Sequence, residues 1–318
     1  MSRGTGRRTA AAAIVSAGLA AAVARASYGA LTRRPPGGEG TWTRTNHRGE
    51  PVTLLEGPAV AAAAVTAAAI SPGRPARARA ALIAAGIGAG ALGGYDDLAG
   101  SGDRRGFRGH LGALAHGEVT TGAVKIGGIG ATGLAAAALL GGSPVDVALN
   151  AGLTAGSANL LNLFDLRPGR AVKVALGAAG LLAVSGSGAT SAVAAPAGAA
   201  LALLPEDLAE RAMLGDAGAN ALGAMLGLAA AASLRRPARI AVLAAITGLT
   251  AASEVVSFTK VIERTPPLRW LDMLGRRPVT GSSAPADDGM NGADSRSAAA
   301  SWGEAHPKPA SQAAASGQ

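Results

Sequence analysis

Cysteine is absent from the 318-residue chain, which excludes disulfides, zinc–thiolate sites and thiol catalysis. Aromatic residues are scarce at 3%, and charged residues make up only 15% of the sequence. Stretches of about 20 residues with almost no charge recur along most of the chain. Uncharged stretches of that length, repeated along the chain, are typical of a polytopic membrane protein and exclude an ordinary soluble domain.

The apolar half of the sequence consists mainly of Ala, Gly, Leu and Val. Small residues allow helix backbones to approach closely, so the pattern predicts a tightly packed bundle. The net charge of +9 would suggest a nucleic-acid partner in a soluble protein. Here arginines that flank membrane spans, together with anionic lipid or phosphate ligands, explain the charge more simply, so we expect no nucleic-acid partner.

The fold class predicted is all-α, a polytopic membrane helix bundle with about nine (eight to ten) transmembrane helices in residues 1–277. The first span follows a basic N-terminus, and we interpret it as a retained helix rather than a cleaved signal. Residues 278–318 are polar and lack periodicity, which predicts a disordered tail. The nine predicted spans are 9–31, 52–70, 78–95, 121–141, 144–164, 171–186, 188–204, 213–233 and 239–258.

An odd number of spans places the two termini on opposite sides of the membrane. The segments 32–51, 95–120, 165–173, 205–212 and 259–279 then share one side and hold 16 Lys and Arg residues. The opposite side holds 9. The positive-inside rule therefore predicts that the first set is cytoplasmic, in a multi-pass protein of the plasma membrane.

Acidic and amide residues gather at the predicted cytoplasmic ends of three spans. The free-energy cost of an ionisable group is lower at the end of a span than in the middle of the membrane. Three clusters on one side nevertheless suggest a shared site. The residues concerned are Asp96 and Asp97 in "GGYDDLAG", Asn159, Asn162 and Asp165 in "NLLNLFD", and Asp216 and Asn220 in "GDAGAN".

The spacing of these residues points to metal and phosphate chemistry. Asn159, Asn162 and Asp165 recur every three residues, which places them on one face of a helix. Oxygen ligands of this kind suit Mg²⁺, which takes one or two protein groups and leaves the rest to water and substrate phosphate. Basic residues accompany the acids, as expected for phosphoryl chemistry. These residues are Lys125, Arg167, Arg170 and Lys173.

Each cluster also has a structural interpretation. The twin aspartates can mark a solvated helix end, and the row of asparagines can join helices by hydrogen bonds. The Gly-Asp pair can cap a helix, and "RPGR" can be a basic turn. The histidines show no metal spacing, although His47 lies between Arg44 and Arg48. The combination of clusters on one side is harder to explain structurally than any one of them.

The ordered motifs "GGYDDLAG", "NLLNLFDLRPGRAVK" and "MLGDAGANALGAMLG" resemble those of the polyprenyl-phosphate N-acetylhexosamine-1-phosphate transferases. That superfamily includes phospho-N-acetylmuramoyl-pentapeptide transferase. The stretch from Arg44 to Val60 also resembles the first cytoplasmic loop of the family. The resemblance extends over roughly residues 40–277.

The resemblance implies transfer of a sugar 1-phosphate from a UDP-amino sugar to polyprenyl (undecaprenyl) phosphate, with release of UMP, in cell-envelope synthesis. It implies Mg²⁺, with Mn²⁺ as an alternative, and a homodimer is a further expectation. By motif position it assigns metal ligation to Asn162 and Asp216. It assigns catalysis to Asp96, Asp97, Asp165 and Asp216, and substrate binding to Asn159, Asn162, Lys125, Arg167, Arg170 and His47.

The sequence also departs from the family pattern. The last predicted cytoplasmic stretch, Lys260–Pro278, contains no histidine where better-known members carry a histidine cluster. "DLRPGR" replaces the usual Asp-Gly-rich continuation, and the final span of the family is replaced by the polar tail. These departures leave the donor sugar open.

Two other functions compete with the transferase hypothesis. A non-catalytic relative would bind polyprenyl phosphate or act as a scaffold, which the missing histidines favour and the retained acids oppose. A small-solute transporter would place acids near the bilayer centre in two repeats. The acids gather instead at span ends on one side, so we disfavour a transporter.

Overall fold

The computed structural model describes residues 3–71, 74–99 and 120–278, and these residues form twelve helices and one small sheet. All the described helices belong to one compact unit that ends at Arg277. The predicted tail at 278–318 lies outside the described residues except for Pro278. The helices and strands are α1 (Arg3–Arg33), α2 (Glu39–Trp42), β1 (Thr43–Thr45), β2 (Pro51–Thr53), α3 (Glu56–Ile70), α4 (Ala76–Ala99), α5 (Thr121–Leu140), α6 (Pro144–Phe164), α7 (Arg170–Val184), α8 (Ser187–Leu208), α9 (Gly215–Ser233), α10 (Arg236–Ser253), α11 (Phe258–Arg264) and α12 (Pro266–Met273).

Each predicted span coincides with a helix, but five of the predicted limits differ from the helix limits by four to six residues. The span predicted at 52–70 begins with strand β2 and a turn, and its helix starts only at Glu56. The span predicted at 239–258 ends early, because α10 stops at Ser253. Hydropathy does not register where the backbone leaves the helical conformation, so apolar residues next to a helix were counted as part of it.

Local sequence signals account for the helix limits. Ser143 caps α6 by accepting a hydrogen bond from the Asp146 N–H, and Pro144 follows at the first helical position. Gly141 and Gly142 end α5 with positive φ angles of 79° and 122°, which glycine adopts without strain. These signals separate two helices that a hydropathy plot shows as almost continuous.

Helix α9 is the centre of the bundle, and nearly all its residues are buried. It packs against α3, α4, α6, α7 and α8, while α1, α5 and α10 lie further out. Glycines make this packing possible: a Cβ atom on Gly223 would collide with the Ser157 carbonyl, and one on Gly57 with the Leu214 carbonyl. The abundance of small residues therefore serves close helix packing, as predicted.

Three described helical segments are long and apolar enough to cross a membrane: Arg8–Arg33, Thr121–Leu140 and Gly188–Leu208. Arg236–Ser253 and Phe258–Arg264 pass the same test together, although the chain bends by 96° between them. The protein is thus helical with the character of a membrane protein, and nine spans remain a prediction. The 15-residue helices α3 and α7 are about 22 Å long, shorter than a hydrocarbon core of about 30 Å.

The first loop contains a β-hairpin that the all-α prediction did not include. Strands β1 and β2 pair antiparallel, with Thr43 opposite Thr53. The Thr53 N–H donates to the Arg211 carbonyl at 3.3 Å, and the Met213 N–H donates to the Thr53 carbonyl at 3.0 Å. The hairpin is therefore fixed against the segment that precedes α9.

The packing of α9 predicts opposite effects for two glycine substitutions. Gly223→Ala should lower the free energy of unfolding by about 1–3 kcal/mol, because the added methyl group meets backbone. Gly130→Ala, where nothing lies within 4 Å of the added atom, should raise it by up to about 1 kcal/mol. Thermal unfolding of both variants in one detergent measures the difference. Equal stability of the two would contradict the packing described for α9.

Candidate active site

The carboxylate of Asp97 holds the first turn of α9. It accepts hydrogen bonds from the backbone N–H groups of Asp216 at 3.0 Å and Ala217 at 2.9 Å. The first N–H groups of a helix have no partner within the helix, and the helix dipole favours a negative charge there. The third and eighth predicted spans thus meet through Asp97, which brings two of the three acidic motifs together.

Lys125, near the start of α5, joins two further carboxylates. Its ammonium group donates to Asp96 at 3.3 Å and to Asp216. One lysine therefore joins the carboxyl groups of α4 and α9. The structure brings together all three residues, which the sequence analysis had placed in three different helices.

Asp165 lies on the other side of the α9 start. It is only 8% exposed, and its carboxyl group lies near the backbone of Gly215. Gly215 has a φ of 59°, and a Cβ atom there would lie 3.0 Å from the Asp97 carboxylate. Burial raises the pKa of Asp165 well above its usual range, and the negative charge of Asp207 raises it further.

A cavity of about 170 Å³ opens beside the Lys125 bridge. Asp96 and Lys125 line it together with Asn159 and Asn162 from α6. The two asparagines share one face of their helix, as their spacing predicts. This cavity therefore offers carboxylate, ammonium and amide groups to a single ligand.

A second cavity, of about 180 Å³, lies on the Asp165 side. His47 from the first loop and Arg167 from the "RPGR" turn line it, together with Asp165 and Glu210. Burial lowers the pKa of His47, so the imidazole is neutral at neutral pH and accepts or donates a hydrogen bond there. Seven of the predicted site residues thus line one of these two cavities, whereas Asp97 and Asp216 line neither.

Arg170 does not line either cavity. Its guanidinium is buried and donates to both carboxylate oxygens of Asp272, at 2.6 and 3.2 Å, and to Thr259 at 3.0 Å. Arg276 also donates to Asp272, at 2.7 Å. The structure therefore places Arg170 where it fastens α12 to the bundle, and substrate binding by Arg170 stays a prediction. Asn220 is likewise buried and lines neither cavity.

Glu210 is a site residue that the sequence analysis missed. It is buried and accepts hydrogen bonds from Asn46 at 3.0 Å and from Arg48 at 2.9 Å, which hold the first loop in place. His47 Nδ1 lies 3.9 Å from the same carboxylate. A run of three acids in "PEDLAER" at the end of an apolar segment was the available signal, but it gave no indication of the partner.

The donor atoms of the first cavity suit Mg²⁺ chemically. Carboxylate and amide oxygens are ligands that Mg²⁺ accepts, and it commonly takes only one or two protein carboxylates. Asp96 and Asn162 line the cavity and offer such oxygens, and Asp216 shares the Lys125 ammonium with Asp96. In the described part of the chain, no three His, Asp or Glu side chains are grouped so that they could hold a metal ion. A Mg²⁺ ion would therefore depend on water and substrate oxygens for its other ligands.

Compared with known proteins, the chain matches no family model and no curated sequence. Kinship with the polyprenyl-phosphate transferases is therefore a proposal that rests on the three motifs and on the site they form.

The environment of Asp165 predicts how stability depends on pH. The pKa of Asp165 is raised in the folded state, so above about pH 4 the folded protein still binds a proton that the unfolded chain has lost. The free energy of unfolding therefore falls as pH rises above about 4. Asp165→Asn removes the charge and should be more stable than the wild type at neutral pH, with a flatter profile. Unfolding midpoints between about pH 4 and pH 8 measure this. The exposed Glu39→Gln serves as control, and parallel wild-type and Asp165→Asn profiles would contradict the raised pKa of Asp165.

Proposed function

We propose that the protein transfers a sugar 1-phosphate of the N-acetylhexosamine type from a UDP-sugar to polyprenyl phosphate, releasing UMP. The observation that carries the proposal is the Lys125 bridge between Asp96 and Asp216, beside Asn159 and Asn162. These residues come from four helices and converge at one end of the bundle. The same residues are the ones that the family resemblance assigns to the reaction.

The reaction forms one bond and breaks one. An oxygen of the polyprenyl phosphate attacks the β-phosphorus of the UDP-sugar, and the bond from that phosphorus to the oxygen bridging to the α-phosphate breaks. UMP leaves with that oxygen. A phosphate monoester has a second pKa near about 6, so the acceptor is largely ionised at neutral pH and needs little help from a general base. Asp96 therefore acts better as a positioning group than as a base.

The main barrier is the repulsion between two anionic substrates, which the cations of the site offset. Lys125 has three N–H donors, of which Asp96 and Asp216 take two, so one is left for a phosphate oxygen. Arg167 in the second cavity presents a guanidinium, which suits a phosphate group. A Mg²⁺ ion held by Asp216 and Asn162 would supply further neutralisation of the phosphate charge.

The acids must stay in place while they face an anionic ligand, and the structure supplies the means. Asp97 is held by two backbone N–H groups and Asp96 by Lys125. Such preorganised groups require no reorganisation when charge develops in the transition state. Asp97 therefore contributes by holding the α9 start, and with it Asp216, in position.

We place the site on the cytoplasmic side of a nine-span protein of the plasma membrane. Among the described residues, the hairpin, the "RPGR" turn and α12 pack at the site end of the bundle, and all three belong to the segments that hold the greater number of Lys and Arg residues. Both the UDP-sugar and the phosphate of the lipid acceptor are accessible from that side.

A second candidate function is a relative that binds polyprenyl phosphate without transferring sugar phosphate to it. The observation that favours it is the stretch Lys260–Pro278, which carries no histidine. Asp272 in that stretch is occupied by Arg170 and Arg276, so it stabilises the loop rather than facing a ligand. Such a protein would bind the lipid phosphate and release no UMP.

The transferase proposal predicts that Asp216→Asn abolishes turnover. Purified protein with undecaprenyl phosphate, Mg²⁺ and a panel of UDP-amino sugars should release UMP, and the variant should lose at least about 100-fold in rate. Glu39→Gln, an exposed acid outside both cavities, should retain the wild-type rate. The unfolding midpoint of each variant verifies that the fold is intact.

The same assay separates the two candidate functions. Near-normal turnover in Asp216→Asn would refute the metal assignment. No UMP release by the wild type with any donor, combined with saturable binding of undecaprenyl phosphate, would support the binding function instead.

A further inference from the structure

A third cavity lies at the other end of the bundle, far from the acidic site. Its volume is about 420 Å³, within the range of about 300–1,000 Å³ that is usual for small-molecule sites. Residues from α1, α4, α8 and α9 line it. On α9 it is lined by residues from Leu228 to Ser233, about 18–26 Å along the helix from Asp216. It is therefore separate from both cavities of the proposed active site.

Two arginines, Arg8 and Arg74, line this cavity. They belong to the set of nine basic residues that the sequence analysis assigned to the side opposite the acids, against the positive-inside rule. In the structure, the described arginines of this set fall into two groups. Arg236 and Arg239 both form ion pairs with Asp146, at 2.6 and 3.0 Å, whereas the structure gives Arg8 and Arg74 no acidic partner among the described residues.

Arg74 is the better-defined of the two. Its Nε donates to the hydroxyl of Ser191 at 3.2 Å, which orients the guanidinium toward the cavity wall formed by α8. Burial lowers its pKa to about 10, so the group is still a cation at neutral pH. A partly buried cation without a counter-ion is unfavourable, and an anion in the cavity would relieve that cost.

We propose that this cavity binds the phosphate of an anionic membrane lipid, with Arg74 and Arg8 on the headgroup. The guanidinium of Arg74 keeps its terminal donors for phosphate oxygens, a pairing that forms strong charge-assisted hydrogen bonds. Leu82, Leu140 and Leu228 provide an apolar wall of the kind that a lipid needs and a free phosphate ion does not. The proposal is independent of the transferase function, since it concerns the opposite end of the bundle.

The test uses the full-length protein in a neutral detergent. The unfolding midpoint is followed while short-chain phosphatidylglycerol, the zwitterionic phosphatidylcholine or inorganic phosphate is added, and each saturation curve gives a Kd. Phosphatidylglycerol should saturate the wild type, with weaker binding of the other two. Arg74→Gln should raise the Kd for phosphatidylglycerol about tenfold or more, because a charged hydrogen bond is lost.

Arg77→Gln is the matched control, since Arg77 is exposed near the same end of α4 and does not line the cavity. Its Kd should stay within about twofold of the wild type. If Arg74→Gln does not unfold cooperatively, Arg8→Gln serves in its place with the same expectation. Inorganic phosphate that binds as tightly as the lipid, with the same dependence on Arg74, would overturn the lipid assignment. Absent saturation by phosphatidylglycerol, or equal Kd values for Arg74→Gln and Arg77→Gln, would overturn the site itself.

Discussion

The buried start of α9 is the constraint on which the rest of the site depends. A helix that begins inside a bundle leaves backbone N–H groups without partners, and leaving them unpaired there would be costly. The carboxylate of Asp97 accepts hydrogen bonds from two of these N–H groups, those of Asp216 and Ala217, and Asp165 lies near Gly215. The acids that gather at this end of the bundle therefore also support the start of the central helix.

These contacts allow the structural interpretations of the acidic clusters to be compared with the functional one. Capping of α9 does occur, but the capping group is Asp97 from α4 rather than Asp216 in the helix itself. Asp216 is instead paired with Lys125, beside a cavity. A purely structural role explains Asp97. It does not explain the Lys125 bridge or the two asparagines beside the cavity, and for this reason we favour the transferase proposal.

Charge is distributed differently at the two ends of the bundle. At the site end, ion pairs such as Arg48 with Glu210 and Arg170 with Asp272 fix the loops around the cavities. At the other end, Asp146 pairs with two arginines, and Arg74 lines an open cavity. Buried pairs of this kind specify one arrangement more than they add stability. The stretch Lys260–Pro278, which lacks histidine, is held by the ion pairs of Asp272 with Arg170 and Arg276.

The sequence by itself determined the nine helical segments, the scarcity of charge inside them and the face that Asn159 and Asn162 share on α6, because these features follow from local periodicity. It also placed Asp165 on that face, which is wrong, because α6 ends at Phe164 and Asp165 lines the second cavity. It did not determine that Asp97 caps α9, that Arg170 binds Asp272 or that Glu210 holds the first loop. Each of these depends on residues far apart in the chain, and local patterns carry no record of which distant groups will meet. Only the tertiary structure decided them, because a buried polar group takes whichever partner the packing of helices brings within hydrogen-bond distance.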